Sequence, residues 1–390
     1  MARTAHEDPI TPTLYVALEL SKTTWKLGFT TSRTQKARVR DVPARSLDVF
    51  LEEVRAAKVR FGLPQSAPVR SCYEAGRDGF WIHRFLTAQR IENVVFEPAS
   101  IEVNRRMRRP KTDRVDVQKL ASLLVRHHEG EDVVRLVRVP PLESEDERMV
   151  PRQLRRLKET RTRLTNAIRA SLFRHGVDLD PRKAKARQAL EVTRQWDGSP
   201  LPPGLLSEVE HLWAQLDLVW DQIRELEGLQ RRALQAAREG ASGVTTAQEK
   251  AACLSQLRGV GDVGAYSLSV ELFAWREFRN RGELGALAGL TGVPFQSGSS
   301  AHDQGISKAG NRRVRSLMVE LAWGWLRHQP QSRTSRWFHE HTGKGGSRSR
   351  RKAIVAVARK LLVELWHYVE HGVIPAGAVL KPIDQKVAVA

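Results

Sequence analysis

The chain is poor in the features that would mark a secreted, disulfide-built or membrane-spanning protein. It has only two cysteines in 390 residues, Cys72 and Cys253. They lie too far apart in sequence for a metal-ligand motif, and they exclude a disulfide framework. A reducing cytoplasm fits that usage best. No apolar run approaches the ~18 residues of a spanning helix. The N-terminal stretch "MARTAHEDPITPT" lacks the apolar core of a secretory signal. The histidine pairs, His127-His128 and the "HEH" at 339–341, have no zinc-site spacing with further ligands. The four tyrosines (15, 73, 266 and 368) follow no recognisable His/Arg constellation of a tyrosine recombinase.

Acid is scarce too. Lysine and arginine number 64 against 44 aspartates and glutamates, a net charge of +20 and a pI near 10.5. Such an excess points to a polyanionic partner, nucleic acid before a membrane surface. The hydrophobic fraction of 41% is ordinary for globular domains. The length allows two or three of them.

What is present begins with apolar alternation. Residues 14–20 read as a strand. Trp25, Leu27 and Phe29 give a second, and Val39 to Val42 a short third. Ser46 is placed to cap a helix with Leu47, Phe50, Leu51 and Val54 on one face. "APVRSCYEAG" is a fourth strand, "FWIHRFLTAQR" a helix, "NVVFEP" a fifth strand and "DRVDVQKLASLLVRHH" a helix. Three strands, helix, strand, helix, strand, helix is an α/β succession. It suits a mixed sheet of ribonuclease H-like type, by fold analogy.

An all-helical stretch follows. In 153–173, Leu154, Leu157, Leu164 and Ile168 form a seam among arginines. After "GSPLPPG", the residues Leu205, Val209, Leu212, Leu216, Val219, Ile223 and Leu226 alternate steps of four and three. That period fits two helices packed within one chain, or a dimerising coiled coil. "SQLRGVGDVGAYSLSVEL" reads as a helix-hairpin-helix, with Gly259 and Gly261 letting backbone amides approach a phosphate. Residues 289–317 look loop-rich, leading into a helix near Val314–Leu326. "GKGGSRSRRK" (343–352) reads as a mobile basic stretch before a last helix over 353–370. The expected domains are a tail (1–13), an α/β domain (14–145), a helical region (146–245), a C-terminal domain (246–372) and a tail (373–390).

The acids raise the chemical question. Glu19 falls in an apolar strand, where an uncompensated carboxylate is costly. Glu74 closes the fourth strand, and Asp113 and Asp116 share one face of a helix start. Singly, each has a bland reading: a buried arginine for Glu19, Arg77 for Glu74, the helix macrodipole for the aspartates. Gathered together, four carboxylates would repel one another without cations, and Mg²⁺ accepts such oxygen ligands.

Four segments, "YVALELSKTTWKLGF", "CYEAGRDGFW", "RRPKTDRVDVQKLA" and "LAGLTGVPFQSG…ISKAGNRRVR", resemble in order the motifs of the DEDD transposases of bacterial insertion sequences, the family that includes bridge-RNA-guided recombinases. The resemblance spans about residue 14 to about 330. It implies a RuvC-like N-terminal domain, a coiled-coil segment and a C-terminal transposase domain. It assigns the acid set, and with it Mg²⁺ (Mn²⁺ as the alternative), to Glu19, Glu74, Asp113 and Asp116. It assigns the nucleophile, acting through a phosphoserine, to Ser297. The family's first acid is typically Asp, so Glu19 is one methylene longer. Donor and target DNA, an element-encoded guide RNA and a homo-oligomer (dimer or tetramer) in the bacterial cytoplasm, near the nucleoid, are the implied partners and setting.

The expected nucleic-acid contacts are Arg105, Arg106, Arg108, Arg109 and Lys111, then Gly259 and Gly261. Lys308, Arg312, Arg313 and Arg315 follow, with Arg348, Arg350 and Arg351 on the late basic stretch. Two other classes stay open: a metal-dependent junction endonuclease with no covalent intermediate, and a catalytically silent nucleic-acid-binding protein.

Overall fold

The structure is a computed structural model. It describes residues 12–101, 113–183, 185–297, 300–343 and 345–382. The side chains of residues 99, 113, 114 and 294–304 lie outside that description. The chain divides into two compact units, up to Val139 and from Pro140.

The first unit follows the succession read from sequence. Strands β1 (Leu14–Glu19), β2 (Thr24–Thr30) and β3 (Arg38–Pro43) precede helix α1 (Leu47–Arg60). Then come β4 (Val69–Glu74), α2 (Trp81–Ala88), β5 (Glu92–Phe96) and α3 (Asp113–His128). The sheet order is β3-β2-β1-β4-β5. Strands β1, β2 and β3 are antiparallel neighbours, whereas β4 and β5 run parallel to β1. The direction changes because a tight turn reverses the chain after β1, while α1 and α2 carry it back to restart β4 and β5. Ser46 precedes α1 but makes no side-chain cap.

Central β1 is buried along almost its whole length, which explains its unbroken apolar run. Its even residues Leu14, Val16 and Leu18 pack with Phe50 and Val54 of α1 and Ile82 and Leu86 of α2. Its odd residues Tyr15 and Ala17 pack with Cys72 of β4 and with Val117, Leu120 and Leu124 of α3. Full burial of a large apolar side chain contributes about 1.5–3 kcal/mol. Trp25, Phe29, Phe50 and Tyr73 are such residues.

The second unit is mainly helical: α4 (Leu142–Glu147), α5 (Met149–Phe173), α6 (Ala186–Val192), α7 (Pro203–Arg238), α8 (Thr246–Ser255) and α9 (Asp262–Leu268). Helix α9 runs into a π-helical turn, Ser269–Phe273. After α10 (Arg281–Ala288) comes a hairpin, β6 (Gly292–Ser297) and β7 (Ser300–Ile306). The unit closes with α11 (Arg312–His328), α12 (Arg333–Thr342) and α13 (Ser347–His371).

The heptad of α7 is buried within the chain. Leu205, Val209, Leu216, Val219, Ile223 and Leu226 form one core with Leu154, Leu164, Ile168 and Leu172 of α5. Lys158–Glu227, at 2.7 Å, ties the same two helices. The intrachain alternative accounts for this seam. Trp213 is buried in it, and Leu212 only partly so.

Three expectations need correction. The segment 289–317 contains a β-hairpin as well as loop. The basic stretch is no loop after Gly346, because α13 starts at Ser347 and carries Arg348, Arg350 and Arg351 exposed on its first turns. Nor do residues 373–381 hang free. Lys381 Nζ donates to the carbonyls of Ser255 and Val260. Gln329 bonds both the carbonyl and the N–H of Val379.

Candidate functional site

In the first unit the acids gather where strands end. Parallel β1 and β4 pair Leu18 with Tyr73, so Glu19 and Glu74 are the next residues out, side by side at the carboxyl edge of the sheet. Both line a cleft of about 440 Å³ together with Ser21, Lys22, Arg77 and Asp78. Ligand sites in open α/β sheets favour this edge. Glu19 is therefore not sealed in the core as the apolar run suggested. It is half-buried at the strand's mouth, and Glu74 is exposed. Arg77 pairs with Asp78, at 3.8 Å, and not with Glu74. Tyr73 Oη donates to the Gly79 carbonyl at 3.0 Å, tying down the loop that carries these residues.

Strand alternation sends Glu19 to the same face as Tyr15 and Ala17, and Glu74 to the same face as Cys72. That is the face covered by α3. Two contacts set the helix direction. Tyr15 Oη meets His128 Nδ1 at 2.6 Å, at the start of β1 and the end of α3. Cys72 Sγ lies 3.6 Å from the Leu120 carbonyl, midway along both. Helix α3 thus runs against the strands, and its N-terminal turn lies toward their carboxyl ends. Glu74 lies about 6–7 Å beyond Cys72 along the strand. Asp116 lies about 6 Å before Leu120 along the helix.

Asp116 is half-buried. The Asp113 side chain and the whole of Arg105, Arg106, Arg108, Arg109 and Lys111 lie outside the described residues. Among the described residues, no three His, Cys, Asp or Glu side chains form a group able to hold a metal. Glu19, Glu74 and Asp78 line one cleft without forming such a group, and their carboxylates are hard oxygens of the kind Mg²⁺ and Mn²⁺ take. Asp78 is an addition to the sequence reading. It stands in the quoted motif "CYEAGRDGFW", but nothing in a loop aspartate's spacing marks it out.

The second unit holds the other candidates. Ser297 ends β6, opposite Ser300 in the hairpin register. Its side chain lies outside the description, as do Gly298 and Ser299. The hairpin's roots are closely fixed. At Gly289 (φ +65°) a Cβ would fall 2.3 Å from the Ala309 oxygen. At Gly310 (φ +107°) one would fall 2.4 Å from the Leu287 oxygen. Only glycine fits either place.

Arg315 Nη1 donates to the Lys308 carbonyl at 2.9 Å, so this arginine braces the root. Arg312 and Arg313 are exposed at the start of α11. The two glycines of the helix-hairpin-helix reading differ. Gly259 (φ +90°) lets the turn pack on α11, since a Cβ there would fall 3.1 Å from His328 Cβ. Gly261 has no such neighbour and lines a cleft of about 720 Å³ between α5, α9 and α11.

The floor of that cleft is Glu271, which the sequence reading passed over. It lies in the π-helical turn and is 6% exposed. Arg152 Nε and Nη2 reach its two carboxylate oxygens at 2.8 and 3.1 Å. Asn311 Nδ2 donates to Oε2 at 3.1 Å. The Asn311 Oδ1 in turn caps α11 by accepting from the N–H groups of Arg313 and Val314. Burial pushes the Glu271 carboxyl up, but the Arg152 and Asn311 bonds outweigh it and hold it below the usual carboxylate value.

Sequence comparison places this second unit and the whole chain. The family model described as "Transposase IS116/IS110/IS902 family" matches residues 251–336, from α8 through the hairpin into α12. A protein titled "Putative transposase y4rJ", from Sinorhizobium fredii (strain NBRC 101917 / NGR234), is 40% identical over 394 residues, covering 97% of this chain and 99% of that one. The transposase for insertion sequence element IS1111A of Coxiella burnetii is 26% identical, covering 66% of each chain. The transposase for element IS1328 of Yersinia enterocolitica is 25% identical over 43% of this chain and 46% of its own. The chain belongs to the IS116/IS110/IS902 family of transposases, enzymes of DNA recombination. Among the described residues no helix is long and apolar enough to cross a membrane.

Proposed function

We propose that this transposase moves its insertion sequence by a DEDD-type recombination, with the acids in one unit and a serine nucleophile in the other. The observation that carries the acid site is the pairing of Glu19 and Glu74 at adjacent strand ends, on the face to which α3 brings Asp116. The sheet order β3-β2-β1-β4-β5, with its mixed directions, supports a ribonuclease H-like, RuvC-like reading of that unit.

Glu19, Glu74, Asp113 and Asp116 would hold Mg²⁺, or Mn²⁺ in its place. Bound there, the ion would supply Lewis-acid stabilisation of charge on a phosphodiester. The protein's own part is separable. Ser297 gives up its hydroxyl proton, and its Oγ attacks phosphorus. One P–O bond to a sugar breaks, and the released sugar oxygen takes a proton. The product is a DNA phosphoserine that keeps the ester for rejoining to a second strand. Arg312 and Arg313, with the exposed arginines of α13, are the cations offered to the strand. The partners in this reading are donor and target DNA, an element-encoded guide RNA and further copies of the chain. The setting is the bacterial cytoplasm, near the nucleoid.

Denaturing a reaction in progress is expected to leave labelled DNA joined to protein at Ser297. Ser297→Ala should bind DNA and form no adduct. Strand cleavage by Ser297→Ala at the wild-type rate would replace this reading with a junction endonuclease.

A further inference from the structure

The cleft over Glu271 is unevenly charged. Arg152, which grips Glu271, and Arg313 line it, with Glu320 further along α11, and Arg148 is buried nearby. Arg148 is occupied on its own side, with Nε donating to the Ser144 carbonyl and the guanidinium over the Trp275 ring at 5.1 Å. It feels the charges of both Arg152 and Arg313. Elsewhere on the walls the cations are matched. Arg155 pairs with Glu159, Lys158 with Glu227, and Arg161 lies over Trp220.

Arg313 is different, forming no ion pair among the described residues. Arg152 gives Nε and Nη2 to Glu271, and its Nη1 has no partner among them. The bidentate grip fixes that guanidinium before any ligand arrives. Crowded like charges with open donors are stabilised by an anion, and a phosphate oxygen matches the arginine fork.

We propose that Arg152 and Arg313 form a subsite for one backbone phosphate of a nucleic acid in the cleft between α5, α9 and α11. Glu271 orients Arg152 there, and through Asn311 it ties the subsite to the start of α11. Because Asn311 also donates its N–H to the Leu287 carbonyl, at 2.6 Å, the same network reaches the root of the β6–β7 hairpin. The phosphate has two sources, DNA or the guide RNA, and the chemistry is shared.

The inference rests on the recombinase reading above, and the test separates the two. The full chain is titrated with a labelled DNA duplex and with a labelled single-stranded RNA, across salt from about 50 to about 200 mM. Arg313 is exposed, so its replacement spares the core, and thermal melts check this. Arg313→Gln should lower the slope of log affinity against log salt by about one for whichever nucleic acid occupies the cleft. Arg313→Lys should restore it. Ser316→Glu, which places an acid on the same wall, should lower the slope likewise. Arg182→Gln, whose guanidinium is held by Asp180 at 2.7 Å, should leave it unchanged. A drop with DNA alone or RNA alone names the source. A steep wild-type slope with Arg313→Gln and Ser316→Glu unchanged on both would overturn the subsite alone. A flat wild-type titration would overturn the recombinase reading and the subsite with it.

Discussion

Glu74 and Glu271 are both glutamates beside arginines, in two different units, and they are held in opposite ways. Glu74 stands exposed at a strand end, with no ion pair among the described residues, while its neighbour Arg77 turns to Asp78. Glu271 is enclosed and accepts from a bidentate arginine and an asparagine. A carboxylate satisfied by its own chain is a structural part. One left open beside another acid, at a sheet edge, has its oxygens available to something that is not protein.

Substitution can break that comparison. The largest expected effect is on Glu74. Glu74→Gln keeps size and shape but removes the charge, and DNA cleavage should fall by about 10–100-fold, while the melting temperature stays near wild type. Cleavage within a few-fold of wild type would make Glu74 a bystander.

Glu271→Ala should show the reverse pattern, a stability loss of about 3–5 kcal/mol from leaving Arg152 and Asn311 without their acceptor. Denaturant unfolding measures this. Its pH signature has a definite sign. The folded carboxyl titrates below the ordinary 4.5, so its contribution is present above that value and disappears as pH falls through the lowered one. The difference between wild type and Glu271→Ala should therefore narrow in acid and stay constant at neutral pH.

A loss that starts lower, about 2–5 kcal/mol, is expected for Leu216→Ala, which opens a cavity in the α5–α7 seam. Because that seam is filled within the chain, the sedimenting mass of this variant should match wild type. A halved mass would make the seam an interface between copies.

Much of the first unit was legible because its signals are local and periodic. The apolar run of β1 alternates between two covers, and each helix of that unit has a clear stripe. The seam of α5 and α7 was legible as a period but not as a partnership, since a heptad specifies a neighbouring helix and not whose it is. The β6–β7 hairpin escaped because "VPFQSGSSAHDQG" carries small and polar residues where strands usually carry branched ones. The glycines that flank it read as looseness, yet Gly289 and Gly310 are places of close contact. Glu271 escaped for a simpler reason: in "SVELFAW" it looks like one acid on a helix, and only Arg152, 119 positions away, reveals its use.

The strap formed by residues 373–381 gives the second unit a late fastening. A ribosome delivers the chain from the N-terminus at roughly 5–20 residues per second. The 139 residues of the first unit are complete long before Lys381 appears to close over Ser255 and Val260. Until then the carbonyls that Lys381 serves must be met by water, and the turn before α9 lacks its lock.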